Sequence, residues 1–354
     1  MDRKQRDNGQ DSSNEESGVQ KKFPTIVQIK DAIPNRLFES SLLLSLYYVA
    51  KDFVCILAVY KTMLLLEYLM PTVSFFLFPA YWYIQGTLFM AIFVLGHDCG
   101  HSSFSRYDLL NDFLGTLLHT FVCTPYYPWK LSHKNHHKNT GNIDKDEVFY
   151  PVRSKDFNGN NFVFLFGLGL GWFIYLIRGY SPRNICHLNP FEHMFSRHVT
   201  GCVLSLSALI GWMTCLYHFA CSAGIMGLVK YYVIPEAVFA SWLLIVTFLH
   251  HIEEGTPWYS DDSWNYVKGQ LSSVDRRYGW AHDVIHNIGT HQIHHLFSKI
   301  PHYHLEEATR HFRKSFPSLA RSRDDSILPS MVRMFRKFTS QMVIGDDQDV
   351  HVYK

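Results

Sequence analysis

Histidine spacing carries the strongest chemical signal in this chain. The run His286-Asn287-Ile288-Gly289-Thr290-His291-Gln292-Ile293-His294-His295 places three imidazoles at i, i+3 and i+4, a set that shares one face of a helix and aims at one point. The same pattern recurs at His133-Lys134-Asn135-His136-His137, and His97-Asp98-Cys99-Gly100-His101 holds a pair at i and i+4. Neutral imidazole suits iron, copper, nickel and zinc, so histidine alone does not choose the metal. Its abundance narrows the choice: eight box histidines exceed what one tetrahedral zinc uses, whereas two ions with four or five nitrogens each would employ them all. His251 and His286 are candidates for a ninth and tenth ligand, or for residues that hydrogen-bond a ligand and fix its tautomer. Asp98, between His97 and His101, is placed to orient an imidazole or to end a helix in water. Isolated histidines such as His119, His187, His193, His198 and His218 read as packed or interfacial residues, and His250 stands open between the two readings.

A shared centre requires elements that bring the three boxes together. The chain has 354 residues and 47% hydrophobic content, enough for one large core. A mean hydropathy of -0.06 conceals segregation, because apolar blocks alternate with polar, histidine-rich ones. A formal charge of +2 gives no electrostatic case for nucleic acid. Seven cysteines form no CxxC pair, so neither a zinc ribbon nor a disulfide framework is indicated. Phosphate loops, HExxH and Ser/His/Asp order are also missing, which argues against nucleotide enzymes, zinc proteases and hydrolases.

In chain order, residues 1–22 are expected to be a disordered cytosolic tail without the apolar core of a signal peptide. Phe23 to Ser45 reads as an amphipathic lead-in lying on a membrane surface. Phe53 to Met70 and Val73 to Gly96 approach the roughly 20 residues a spanning helix needs, and Pro71 breaks them into a hairpin. Leu109 to Thr124 is short and ends in Pro125-Tyr126-Tyr127-Pro128-Trp129, as an interfacial or re-entrant segment would. Val199 to Cys221 and Ile225 to Leu249 form a second spanning pair. Boxes on one side of the membrane demand an even number of crossings between them, so Phe162 to Ile177, weakened by glycines, should not cross. Both termini then share the side of the boxes, and nearby Lys51, Arg106, Lys130, Lys134, Arg183 and Arg197 assign it to the cytosol.

The expected fold is thus an all-α membrane protein. It has four transmembrane helices in two hairpins, interfacial helices, and a cytosolic helical cap with a di-metal histidine site. Residues 23–316 form the membrane domain and 317–354 a cytosolic C-terminal tail. Nitrogen ligands beside helices that shelter an acyl chain suggest oxidative chemistry on lipid, with iron and dioxygen attacking an unactivated C–H bond and electrons arriving from a partner. A metal transporter is the rival from another class, but its ligands belong within spanning helices at mid-depth.

The boxes HDCGH, HKNHH and HQIHH, with Ile29-Lys30-Asp31-Ala32-Ile33-Pro34, Phe93-Val94-Leu95-Gly96, Val274-Asp275-Arg276-Arg277-Tyr278-Gly279 and Ile300-Pro301-His302-Tyr303-His304, resemble the integral-membrane fatty acid desaturases. The likeness is to their methyl-end group and runs from Phe23 to about Phe316, with Asp98 and the HNIGTHQIHHLF run closer to the omega-3 than the omega-6 branch. It implies two non-haem irons held by the box histidines and by residues matching His251 and His286. It also implies dioxygen, the endoplasmic-reticulum membrane, a fatty acyl lipid or acyl-coenzyme A substrate, and cytochrome b5 with its reductase as separate electron-transfer partners. A hydroxylase or acetylenase of the same di-iron class is the alternative within that chemistry.

Overall fold

The computed structural model describes residues 23–148, 150–157, 169–346 and 348–353; the expected tail at 1–22 lies outside them. Helix α1 (Ile26–Asp31) opens on a capping box, in which the Thr25 hydroxyl accepts from the Gln28 amide and the Gln28 side chain accepts from the Thr25 amide. Helix α2 (Leu42–Leu69) ends where Pro71, which lacks an N–H, starts α3 (Pro71–Gly100) at its first position. On α2 the buried residues Ser45, Asp52, Ile56 and Met63 keep heptad-like steps, Ile56 and Met63 against α3 and Ser45 and Asp52 against Phe104 and His286, while Leu43, Val54, Leu57 and Leu65 face outward. From Gln85 to Cys99 every residue of α3 is buried, as expected of a helix that is apolar all round and enclosed by neighbours.

The chain continues through α4 (Asp108–Phe121), α5 (Tyr126–Asn139) and α6 (Leu170–Arg178). Helix α6 is the described part of the apolar stretch 162–177; its nine residues reach roughly 14 Å, less than half a bilayer core. Next come α7 (Val199–Leu228) and α8 (Ile234–His251), joined by a π-helical turn at Val229–Val233. This 53-residue helical run is not one rod. Gly224 takes φ 77° and ψ 160°, and Trp212 Nε1 donates to Tyr232 Oη at 2.9 Å. Twenty residues of straight helix would separate that pair by about 30 Å. The run therefore folds back at Gly224. Three stretches, Leu42–Leu69, Pro71–Gly100 and Val199–His251, are long and apolar enough to cross a membrane.

Beyond α8, two ribbons and short helices form a cap. Strand β1 (Trp258–Tyr259) precedes α9 (Tyr266–Gln270), β2 (Asp275–Arg276), α10 (Ala281–Val284), α11 (His291–Leu296) and α12 (His302–Ser315). Strand β3 (Ser322–Arg323) runs parallel to β2, α13 (Ile327–Ser340) follows, and β4 (Val350–His351) pairs antiparallel with β1. The frame is helical as expected, with these four two-residue strands added.

Two expectations change. The amphipathic lead-in is covered by protein rather than by lipid: Ile29, Ile33 and Leu37 pack with Val267, Leu271, Ile293, Leu296, Ile300 and Phe312 of the cap. Its pattern announced a face needing cover without saying what covers it. Residues 317–354 are not a detached tail either, because Met334 and Phe338 enter the main core, Phe338 against Phe248, and β4 closes on β1.

Candidate metal centre

The helices bring the boxes together where α3 and α8 end. Five histidines, His97 and His101 at the end of α3, His133 and His137 on α5, and His294 on α11, place one nitrogen each within 4.8 Å of the others. His136 on α5, His251 at the end of α8 and His295 on α11 form a second such group. His291 completes it, its Nε2 lying 2.9 Å from Nε2 of both His251 and His295.

The sequence pattern predicts three imidazoles of one box converging on one point, and the structure divides them. On α5 the i, i+4 pair His133 and His137 joins the first group and His136 the second; on α11 His291 and His295 join the second and His294 the first. Adjacent helical residues point about 100° apart, so the neighbouring histidines that end these two boxes, His136-His137 and His294-His295, face different groups. The second and third boxes each bridge the two groups, while His97 and His101 of the first box both serve the first group.

The distances suit a shared cation. Two nitrogens each about 2.1 Å from one ion and at right angles to each other lie roughly 3.0 Å apart. The observed Nε2 separations are 3.1 Å for His133–His137, 3.2 Å for His137–His294, 3.3 Å for His136–His251, and the two of 2.9 Å. The outer nitrogens of His136 and His295 are oriented from behind. Asp146 accepts from Nδ1 of His136 at 2.8 Å, which leaves the lone pair on Nε2. Thr140 donates its hydroxyl to the His136 carbonyl and so offers a lone pair to His295 Nδ1 at 3.1 Å, beside Gln270 Oε1 at 3.2 Å. Burial first, and neighbouring imidazoles second, hold His101, His133, His137, His291, His294 and His295 well below the usual histidine range, so they stay neutral. Among the described residues, buried Nε2 of His101 and Nδ1 of His137 and His291 have no hydrogen-bond partner. A cluster of neutral nitrogen donors, with the outer nitrogens of His136 and His295 held by the protein, fits two transition-metal ions.

His286 is not brought into either group. Its backbone sits at φ 57° and its Nε2 donates to Asp52 Oδ2 at 2.6 Å, with the His302 ring 4.5 Å away. Asp98 likewise turns from the centre: its Oδ2 accepts from Nδ1 of His302 at 2.9 Å, whereas His97 Nδ1 is 3.7 Å away. His250 has both nitrogens engaged, by the Val274 carbonyl and the Tyr278 hydroxyl, and stacks on His291 at 4.1 Å. His119 stacks on Phe93 at 4.5 Å and bonds its carbonyl. Asp146, Thr140 and Gln270 carry no periodic signal in the sequence, and Tyr278 enters there only within the run Val274 to Gly279 that carries the resemblance.

Beneath the histidines lies an apolar cavity between α3 and α8. Met90, Phe93, Val94, Leu243 and Val246 line it with Trp172 of α6, and His97, His133, His136, His251 and His291 close one end. Both nitrogen groups thus face a slot shaped for hydrocarbon.

Comparison with known proteins agrees with this geometry. A profile described as fatty acid desaturase matches residues 74–325. A Nostoc protein named sn-1 acyl-lipid omega-3 desaturase (ferredoxin) is 41% identical over 294 residues, 80% of this chain and 79% of its own length. A Nicotiana tabacum omega-3 fatty acid desaturase of the endoplasmic reticulum is 40% identical over 295 residues, covering 80% and 76%. An Arabidopsis thaliana acyl-lipid omega-3 desaturase (cytochrome b5) of the endoplasmic reticulum is 34% identical over 351 residues, covering 93% and 89%. The chain belongs to the fatty acid desaturase family, and the protein is an oxidoreductase that desaturates fatty acyl chains.

Proposed function

We propose that this desaturase places a cis double bond at the omega-3 position of an already unsaturated acyl chain. The proposed centre is two irons held by His97, His101, His133, His137 and His294 on one side and His136, His251, His291 and His295 on the other. The observation that carries the reading is the opening of both nitrogen groups onto one apolar cavity. The omega-3 position is favoured by the names of relatives that cover most of the chain.

The irons, when bound with dioxygen, supply the oxidising power that removes two hydrogens from adjacent methylenes. The protein's own residues do the rest. Phe93, Val94, Leu243 and Val246 exclude water from the acyl chain and hold it in register beneath the histidines. Asp146, Thr140 and Gln270 keep the ring nitrogens aimed without placing a negative charge in the cavity. Two electrons per double bond come from outside, and the proposed donor is cytochrome b5, kept reduced by its reductase, in the endoplasmic-reticulum membrane. The fold-back at Gly224 supports four crossings, with both termini and the histidines on the cytosolic side.

Expression in a host fed oleate or linoleate tests the reading. A new omega-3 double bond in the linoleate-fed cells is expected. Hydroxylated acyl chains with no added double bond would overturn it in favour of a hydroxylase.

A further inference from the structure

Helix α13 is apolar on more of its circumference than the described residues cover. Ile327, Met331, Met334 and Phe338 pack on the core, and Arg333 and Lys337 on another side form ion pairs with Glu253 and Glu254. Between the packed face and the exposed Arg336 runs a third sector, in which Leu328 is 74% exposed and Val332, one turn on, is 43% exposed. A soluble surface helix has no reason to carry leucine and valine one above the other in water. A helix at a bilayer surface does, with basic residues beside the apolar strip.

Its depth agrees. The Phe338 ring meets Phe248 at 5.0 Å, in the last turn of α8, a helix long and apolar enough to be half of a membrane pair. α13 therefore flanks a spanning helix at the level where it leaves the hydrocarbon. Residues 241–251 of α8 are buried or half-buried, and α13, packed on them through Phe338, presents its own apolar sector outward at this level.

We propose that α13 lies in the headgroup region of the cytosolic leaflet, with Leu328 and Val332 reaching the acyl boundary and Arg336 at the phosphates. The inference rests on the topology proposed above. It gives the C-terminal segment a task, since Arg333 Nη2 donates to Glu253 Oε1 at 2.8 Å, two residues beyond His251. The same carboxylate binds Arg276, both side chains fully buried. A helix seated in lipid would brace the end of α8 that carries a candidate ligand.

The full chain in phosphatidylcholine–phosphatidylserine nanodiscs, with benzoylphenylalanine introduced singly at positions 328 and 332, tests this by photo-crosslinking and mass spectrometry. Leu57, 55% exposed on α2, and Lys314, exposed on α12, serve as control positions. Lipid adducts are expected at 328, 332 and 57 and none at 314. Adducts at 57 with none at 328 or 332, or protein-to-protein adducts there, would overturn the seating of α13 alone; silence at 57 as well would overturn the topology with it. As a second measurement, Leu328→Asp is expected to speed hydrogen exchange of the α13 amides in nanodiscs. Unchanged exchange counts against the proposal.

Discussion

Two sets of buried histidines lie close together here and differ in what faces them. In the candidate centre, imidazole nitrogens face one another at 2.9 to 3.3 Å with no carboxylate between them. Alongside, His286 and His302 each donate to a carboxylate, Asp52 and Asp98, and their rings meet each other and Tyr48. The first arrangement is unsatisfying without a cation, since neutral donors and acceptors cannot all be paired. The second is satisfied on one nitrogen of each ring by the protein itself. Burial is common to both sets, so burial does not identify a ligand; what stands opposite the nitrogen does.

The comparison breaks most easily at the centre. His136→Ala and His294→Ala each remove one nitrogen from a different group, and either is expected to reduce desaturated product to the host background. Immunoblots of the membrane fraction should show the protein at its usual level. Activity in both variants would dismantle the two-group reading.

Asp146→Ala removes an oriented support but no nitrogen. His136 then loses the acceptor that fixes its tautomer, and a loss of about 10–100-fold in metal affinity or activity is expected, read from metal content against added iron. A loss as complete as that of His136→Ala would mean that Asp146 binds the metal itself.

Filling the cavity leaves every nitrogen alone. Val246→Phe intrudes between α8 and the acyl slot, so product is expected to fall by more than the stability lost to overpacking, about 1–3 kcal/mol, would explain at the growth temperature. Iron content should be unchanged. A fall in iron together with product would place Val246 in the support of His251 rather than in the substrate's path.

What the chain disclosed in advance follows the range of each interaction. The boxes were legible because i, i+3 and i+4 spacing is local, and the first hairpin because Pro71 stops a helix without outside help. That the second and third boxes split follows from helix geometry, but which nitrogens then meet depends on where α3, α5, α8 and α11 converge, which no local pattern encodes. The contact of Thr140 with His295 spans 155 positions, and that of His286 with Asp52 spans 234. His286 reads in the sequence as a ligand or as a residue that fixes a ligand's tautomer; its left-handed backbone turns it toward Asp52 of α2. The C-terminal segment looked like a tail because α13 spreads its apolar residues over two sectors, only one of which meets the core.

His286→Gln is the mildest change and sharpens the contrast with pH. Burial pushes the His286 imidazole down to about 4 from its ordinary 6.5, against the opposing pull of Asp52. Above pH 6.5 native and unfolded chains are both neutral there, so this group adds no pH dependence. Between 6.5 and 4 the unfolded chain takes up a proton that the native chain refuses, and stability falls with falling pH by up to about 3 kcal/mol before levelling off. Glutamine keeps a donor toward Asp52 and cannot titrate. The variant is therefore expected to hold the wild-type iron content and most of its activity at pH 7, and to lose melting temperature less steeply from pH 6.5 to 5. Loss of iron at pH 7 would return His286 to the metal; an unaltered pH slope would mean that other buried imidazoles, such as His187 with its depressed value of about 4, carry the acid sensitivity.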